Sequence, residues 1–210
     1  MEYKGKRVVI TGAAGIFGTS IAKAFAREGA TLCLSDIRKD DLTSLLRDPV
    51  FKNVDVITHQ TELRDSSSLS SLAGLIEKEW GAPDILINCA GIYPSSLLLE
   101  TDRDDWDKVL DINVSAPFEL TKLLSKLMIQ HDVKGSIVNM SSGSASRPRM
   151  GAGHYAVSKA GVQMLTRAYA LELAQYNIRV NAVSPGFAPG SKVSPLSENY
   201  IEAITKGIPL

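Results

Sequence analysis

Short apolar runs alternate along the chain with longer stretches whose apolar residues recur at helical spacing. The runs at residues 7–11 (RVVIT), 31–35, 54–58, 84–89 (DILINC), 135–140 (GSIVNM) and 178–184 (IRVNAVS) predict six strands. Helices are expected at 16–28, where Ile21, Ala24 and Phe25 share a face, more weakly at 41–47, and at 68–80, 104–129 and 155–175. Pro117 is expected to interrupt or kink the fourth of these. Beyond the sixth strand the chain is turn-rich, with one short helical segment at 198–205.

Strands that are apolar at nearly every position bury both faces, and helices of this length fit crossovers between parallel neighbours. Right-handed crossovers then make an α/β fold the economical reading: a doubly wound parallel sheet between two helical layers. No repeat or linker divides the chain, so residues 1–210 read as one domain. No seventh strand follows. Either the sixth is an exposed edge or a C-terminal strand and substrate loop are missing; the second is the expectation, because a long apolar edge invites aggregation.

Composition narrows the class. The 210 residues are 44% hydrophobic and 22% charged, ample for a folded core. Lys plus Arg (23) balances Asp plus Glu (23), which argues against a nucleic-acid-tracking surface. The two cysteines, Cys33 and Cys89, sit in apolar stretches and suggest a reducing, cytoplasmic setting. The apolar stretch near the N-terminus is broken by Gly12, Gly15 and Gly18, unlike a secretory leader, and no run is long enough to span a membrane. His59, His131 and His154 have no metal-ligand spacing with either cysteine, so no metal site is expected.

Thr11–Gly18 reads TGAAGIFG, a G-x-x-G-x-x-G spacing between a strand and a helix. Gly12 suits a tight turn, Gly15 close backbone approach to a pyrophosphate, and Gly18 close helix packing; a plain tight turn is the competing reading. Asp36 ends the second strand, placed to accept hydrogen bonds from both adenine-ribose hydroxyls and to repel a 2′-phosphate. This favours NAD over NADP, although Arg38 and Lys39 pull the other way. A helix cap is the bland alternative for Asp36.

Tyr155 and Lys159 stand one helical turn apart in YAVSK, and Ser142 follows the fifth strand. Each has an ordinary structural reading alone. Together, behind a phosphate loop, they suit a carbonyl oxygen. With NCAG at 88–91, Asn113 and SPG at 184–186, the chain resembles the compact branch of the short-chain dehydrogenase/reductase family over nearly its whole length.

The resemblance implies a Rossmann-like fold and a catalytic tetrad of Asn113, Ser142, Tyr155 and Lys159. It places Gly12, Gly15, Ile16, Phe17 and Gly18 around the dinucleotide, Asp36 and Ile37 at its ribose, and Glu62 and Leu63 at the adenine. Asn88, Ala90 and Gly91 would line the cofactor, which Tyr155 and Lys159 would also touch, with Pro185 and Gly186 on the nicotinamide side. Ile16 stands where compact members carry glycine, Glu62 replaces a commoner aspartate, and Gly190 replaces a frequent threonine.

The expected activity is NAD-dependent interconversion of a secondary alcohol and a ketone. Tyr155 would exchange the hydroxyl proton, Lys159 would lower its pKa and hold the nicotinamide ribose, Ser142 would steady the substrate oxygen, and Asn113 would hold a relay water. A homodimer or homotetramer is implied, with no nucleic acid and no membrane; the small residues Ala160, Gly161, Ala168 and Ala170 suit close helix packing. Transient redox chemistry on a nucleotide sugar and a non-catalytic NAD-responsive binding role are the alternatives. Arg147 and Arg149 flank Pro148 near the expected mouth, and Phe187 with the loop at 189–196 is expected to shape the pocket.

Overall fold

A computed structural model describes residues 2–186 and 197–206. Its elements are β1 (Arg7–Thr11), α1 (Ile16–Arg27), β2 (Thr31–Asp36), α2 (Lys39–Leu45), β3 (Val56–Gln60), α3 (Ser66–Trp80) and β4 (Ile85–Asn88). Then come α4 (Arg103–Leu110), α5 (Ala116–Gln130), β5 (Ser136–Met140), α6 (Gly153–Leu173), β6 (Arg179–Val183) and α7 (Glu198–Lys206). The six strands form one parallel sheet in the order β3-β2-β1-β4-β5-β6. The order reverses between β1 and β4, so their C-terminal ends open a crevice at that point.

Strand alternation explains the unbroken apolar runs. Val8 and Ile10 of β1 pack with Leu32 and Leu34 against α1 and α2 on one face. Val9 packs with Leu86 and Ile137 against α3 and α5 on the other. Truncating such a side chain to alanine costs about 2–5 kcal/mol. At the far edge, Val180 is buried while Asn181, Ala182 and Val183 are exposed.

The interruption expected near Pro117 is present, just ahead of the proline. A π turn at Asp111–Ser115 separates α4 from α5, and Pro117 sits in the first turn of α5. A proline there lacks an N–H that the helix would not have used, so it starts the helix without bending it. β3 begins two residues later than expected because Val54 donates its N–H to Phe51 O at 3.1 Å, extending the turn before it. α6 starts at Gly153 and stops at Leu173, where a 3₁₀ turn and the left-handed Asn177 (φ 58°) end it.

Candidate active site

The glycine opening is built for close approach of backbone to backbone. Gly12 has φ 63°, and a Cβ there would stand 2.6 Å from Ala90 Cα. A Cβ on Gly18 would land on the Gly12 carbonyl oxygen. Thr11 Oγ1 accepts from the N–H groups of Cys89 (3.2 Å) and Ala90 (3.3 Å), tying the end of β1 to the NCAG segment. Gly15 caps α1 without a side chain, so no side chain competes for the first-turn N–H groups of Ile16, Phe17 and Gly18.

Asp36 closes the other side. Its carboxylate accepts from Ala14 N–H and Arg38 N–H, both at 3.1 Å, which fixes its orientation in a nearly buried position. Arg38 Nε lies 3.5 Å from Asp36 and 3.0 Å from Asp41, a charge contact not aligned for hydrogen bonding. Ile37 is exposed beside it. Glu62 is exposed, its carboxylate accepting from Arg64 N–H at 3.0 Å, while Leu63 lines a narrow crevice with Thr11, Asn88 and Ala90.

Ser142, Tyr155 and Lys159 come together at the end of β5. Ser142 stands close enough to the Tyr155 hydroxyl to favour its phenolate, and its Oγ accepts from Ser144 N–H at 3.2 Å. Lys159, 5% exposed, places Nζ 5.8 Å from the Tyr155 ring centroid and donates to Met140 O at 2.7 Å. Burial lowers the lysine pKa to about 8, against a small opposing pull from Cys89. Burial raises the Tyr155 pKa, outweighing the opposing pull of Ser142, and Tyr93 adds to the rise from 5.9 Å between ring centroids. Desolvation dominates, and the ammonium is turned to the Met140 carbonyl.

Asn113 holds the loop after β4. Its Oδ1 accepts from Ile92 N–H at 2.9 Å, while Nδ2 donates to Ile92 O at 2.9 Å and Ser158 Oγ at 3.0 Å. The π turn supplies this reach, since Asn113 lies inside it. Gly91 fits the same junction: a Cβ there would stand 3.1 Å from Asn113 Oδ1 and 3.3 Å from Lys159 Nζ.

A buried polar ladder lies beneath the site; Asn88 was expected to stabilise the central sheet, but its partners escaped the sequence reading. Asn88 Nδ2 donates to Thr121 Oγ1 (3.1 Å) and Asn139 Oδ1 (2.8 Å), and Asn139 Nδ2 donates to Thr166 Oγ1 (3.0 Å). Ser141 Oγ donates to the Lys159 carbonyl at 3.3 Å. These bonds fix β4, β5, α5 and α6 against one another. Polar residues within otherwise apolar strands were the available signal. His154, beside Tyr155, is fully buried with neither ring nitrogen hydrogen-bonded.

Pro185 and Gly186 follow β6, and space around Gly186 is open. The expectations for Phe187, Gly190 and the loop at 189–196 lie outside the described residues. A separate open cavity of about 390 Å³, lined by Leu98, Thr101, Asp102, Arg103 and Trp106, includes none of the tetrad. Among the described residues there is no metal-ligand cluster and no helix long and apolar enough to cross a membrane.

Comparison with known proteins shows the family. The short chain dehydrogenase family profile matches residues 6–199. A 3-oxoacyl-acyl-carrier-protein reductase of Thermotoga maritima is 37% identical over all of this chain and 85% of its own length. A human (3R)-3-hydroxyacyl-CoA dehydrogenase is 31% identical over 96% of this chain and 80% of its own. The structure of an NAD⁺-bound xylitol dehydrogenase superposes with a TM-score of 0.85 at 31% identity, covering 90% of this chain and 74% of that one. The chain belongs to the short-chain dehydrogenase/reductase family, whose members are oxidoreductases working with nicotinamide cofactors on small molecules.

Proposed function

We propose that the protein interconverts a secondary alcohol and a ketone with NAD. The observation that carries this reading is the meeting of Ser142, Tyr155 and Lys159 at the end of β5, across the crevice from the glycine opening. The nicotinamide, when bound, accepts or supplies the hydride. Gly12, Gly15 and Gly18 let the turn pack tightly against itself and Ala90, which leaves the first-turn N–H groups of Ile16, Phe17 and Gly18 to suit the pyrophosphate; Ala90, Gly91, Pro185 and Gly186 suit the remainder.

Tyr155 exchanges the proton of the substrate oxygen, and its raised pKa keeps it protonated, as reduction of a ketone requires. Ser142 donates to the same oxygen. Lys159 supplies positive charge beside the phenol, and Asn113, its amide committed to Ile92 and Ser158, leaves its backbone carbonyl as the group able to hold a relay water.

Asp36 supports NAD over NADP. A 2′-phosphate would meet a carboxylate already fixed by two N–H groups, and a relative's structure carries NAD⁺. Unbridged Cys33 and Cys89 fit a cytoplasmic protein. Val157, Met164 and Leu171 are exposed at seven-residue intervals along α6 and support a homodimer or homotetramer.

The test follows nicotinamide absorbance with both cofactors over a panel of secondary alcohols and ketones. Turnover with NAD or NADH that Tyr155→Phe abolishes is expected. Preference for NADPH would overturn the Asp36 argument, and no turnover across the panel would overturn the reaction.

A further inference from the structure

A chain of hydroxyls and one imidazole lies at the ends of β2 and β3, apart from the tetrad. Ser35 Oγ and Thr61 Oγ1 are 2.7 Å apart, His59 Nδ1 is 2.8 Å from Thr61 Oγ1, and His59 Nε2 is 3.1 Å from Ser71 Oγ on α3. Ser35 and Thr61 are each 1% exposed, so the protons between them need acceptors within the chain. That requirement sets the direction. Were Thr61 to donate to Ser35, the Ser35 proton would have no acceptor among the described residues. Ser35 therefore donates to Thr61, Thr61 donates to His59 Nδ1, and the ring carries its one proton on Nε2, towards Ser71.

This chain meets the dinucleotide end of the sheet through backbone. Ser35 O accepts from Ala13 N–H at 3.0 Å, in the glycine opening, and Asp36 O accepts from Thr61 N–H at 3.0 Å. Ser35 immediately precedes Asp36, and Thr61 precedes Glu62 and Leu63. α3 grips the same segment twice, with Ser71 on His59 and with Ser68 Oγ accepting from Glu62 N–H at 2.9 Å.

A doubly protonated ring does not fit this arrangement. Its Nδ1–H would meet a Thr61 oxygen whose own proton is then left without an acceptor among the described residues. No neighbouring charge offsets a cation either: burial alone lowers the His59 pKa. β3 carries no charged residue. Asp36 is held by Ala14 and Arg38, and Asp65 at the start of α3 by Ser67. Lys39, Asp40 and Asp41 belong to α2, which packs on the opposite face of the sheet from α3.

We propose that His59 is a positioning residue for the adenosine half of the dinucleotide: its neutral ring completes the chain that holds Asp36 and Glu62–Leu63 in place, and protonating it weakens dinucleotide binding. The proposal rests on the reading of those residues as the adenosine site, and not on the hydride step.

The experiment measures by calorimetry the affinity of the purified protein for NADH and for ADP-ribose between about pH 5 and about pH 7, with H59N, H59L and T61V variants. Asparagine keeps an acceptor near the position of Nδ1 and does not titrate, whereas leucine and valine each remove the bond between positions 59 and 61. The wild type is expected to bind both probes about tenfold more weakly at the acidic end. H59N should match the wild type at neutral pH and lose most of the pH dependence, while H59L and T61V should bind about tenfold more weakly even at neutral pH. ADP-ribose lacks the nicotinamide, so equal losses for the two probes assign the effect to the adenosine half. By linkage, NADH should also lower the titration midpoint of the His59 Cε1 proton, read by nuclear magnetic resonance, by about one pH unit.

Wild-type affinity that is flat with pH overturns the proposal, as does a loss that H59N retains in full. Variants that unfold more easily yet bind both probes as the wild type does show a structural role only, and overturn it too. If H59L or T61V fails to fold, the pH profiles of the wild type and H59N decide together with the proton titration. A wild type that binds neither probe removes the dinucleotide reading and the proposal with it. Binding without turnover removes the reaction alone, and the affinities still decide the role of His59.

Discussion

The two halves of the crevice are built from different materials. On the β1–β2 side the work is done by backbone: a left-handed Gly12, an uncapped helix start, and a carboxylate fixed by two N–H groups. On the β5–α6 side it is done by side chains taken out of water, with Lys159 nearly buried and Tyr155 half-buried. Backbone geometry is set once the fold forms. Buried side chains instead carry desolvation penalties that shift their protonation, and those shifts oppose the charge state that oxidation needs. The difference teaches that the first half depends on the path of the chain alone, whereas the second depends on which groups share its buried space.

The largest expected effect breaks the side-chain half alone. Tyr155→Phe should lower turnover about 10²–10⁴-fold while dinucleotide binding, read by nicotinamide fluorescence, persists. Loss of both would mean that the halves are not separable. The reciprocal break is Gly18→Ala: its Cβ meets the Gly12 carbonyl, so dinucleotide affinity should collapse and stability fall by about 1–3 kcal/mol, measured by titration and urea unfolding. Unchanged binding would show that the opening tolerates a side chain and is not a pyrophosphate cradle.

Charge burial gives the next effect. The folded pKa of Lys159, about 8, lies below its ordinary 10.5, so between these values the unfolded chain binds more protons. The penalty for burying the ammonium is therefore fully present below pH 8 and is relieved as pH rises towards 10.5. Lys159→Met should stabilise the free protein at pH 7 by about 1–3 kcal/mol, with the gain shrinking above pH 8 and the activity lost. In the wild type, kcat/KM for ketone reduction should decline above about pH 8 as the ammonium is lost. A flat profile to pH 10 would show that this charge does not matter. The smallest effect concerns His154, whose two nitrogens are buried without partners. His154→Leu should raise stability by about 1 kcal/mol, seen as a higher denaturation midpoint; a lower midpoint would mean the ring makes contacts worth keeping.

The sheet was legible because Val8, Val9 and Ile10 face opposite helical layers, leaving no polar position to blur the strand. The glycine opening, Asp36 and the Ser142–Tyr155–Lys159 set were legible because their chemistry depends on residue type at short spacing. What escaped depends on distance across the fold. Asn113 binds the backbone of Ile92, an atom pair with no identity in the sequence. Asn139 reaches Asn88 from 51 positions away, and its polarity inside an apolar strand makes sense only once both strands are adjacent. The interruption near Pro117 was legible but its form as a π turn was not, because proline is equally at home in a helix's first turn. The pKa directions were hidden as well, since burial is a property of the packed state.

The bond from Lys159 Nζ to the last carbonyl of β5 also makes one side chain serve two masters. The cation beside the phenol is the same group that ties a strand terminus to the long helix, so no substitution at position 159 can alter the chemistry without also altering that joint.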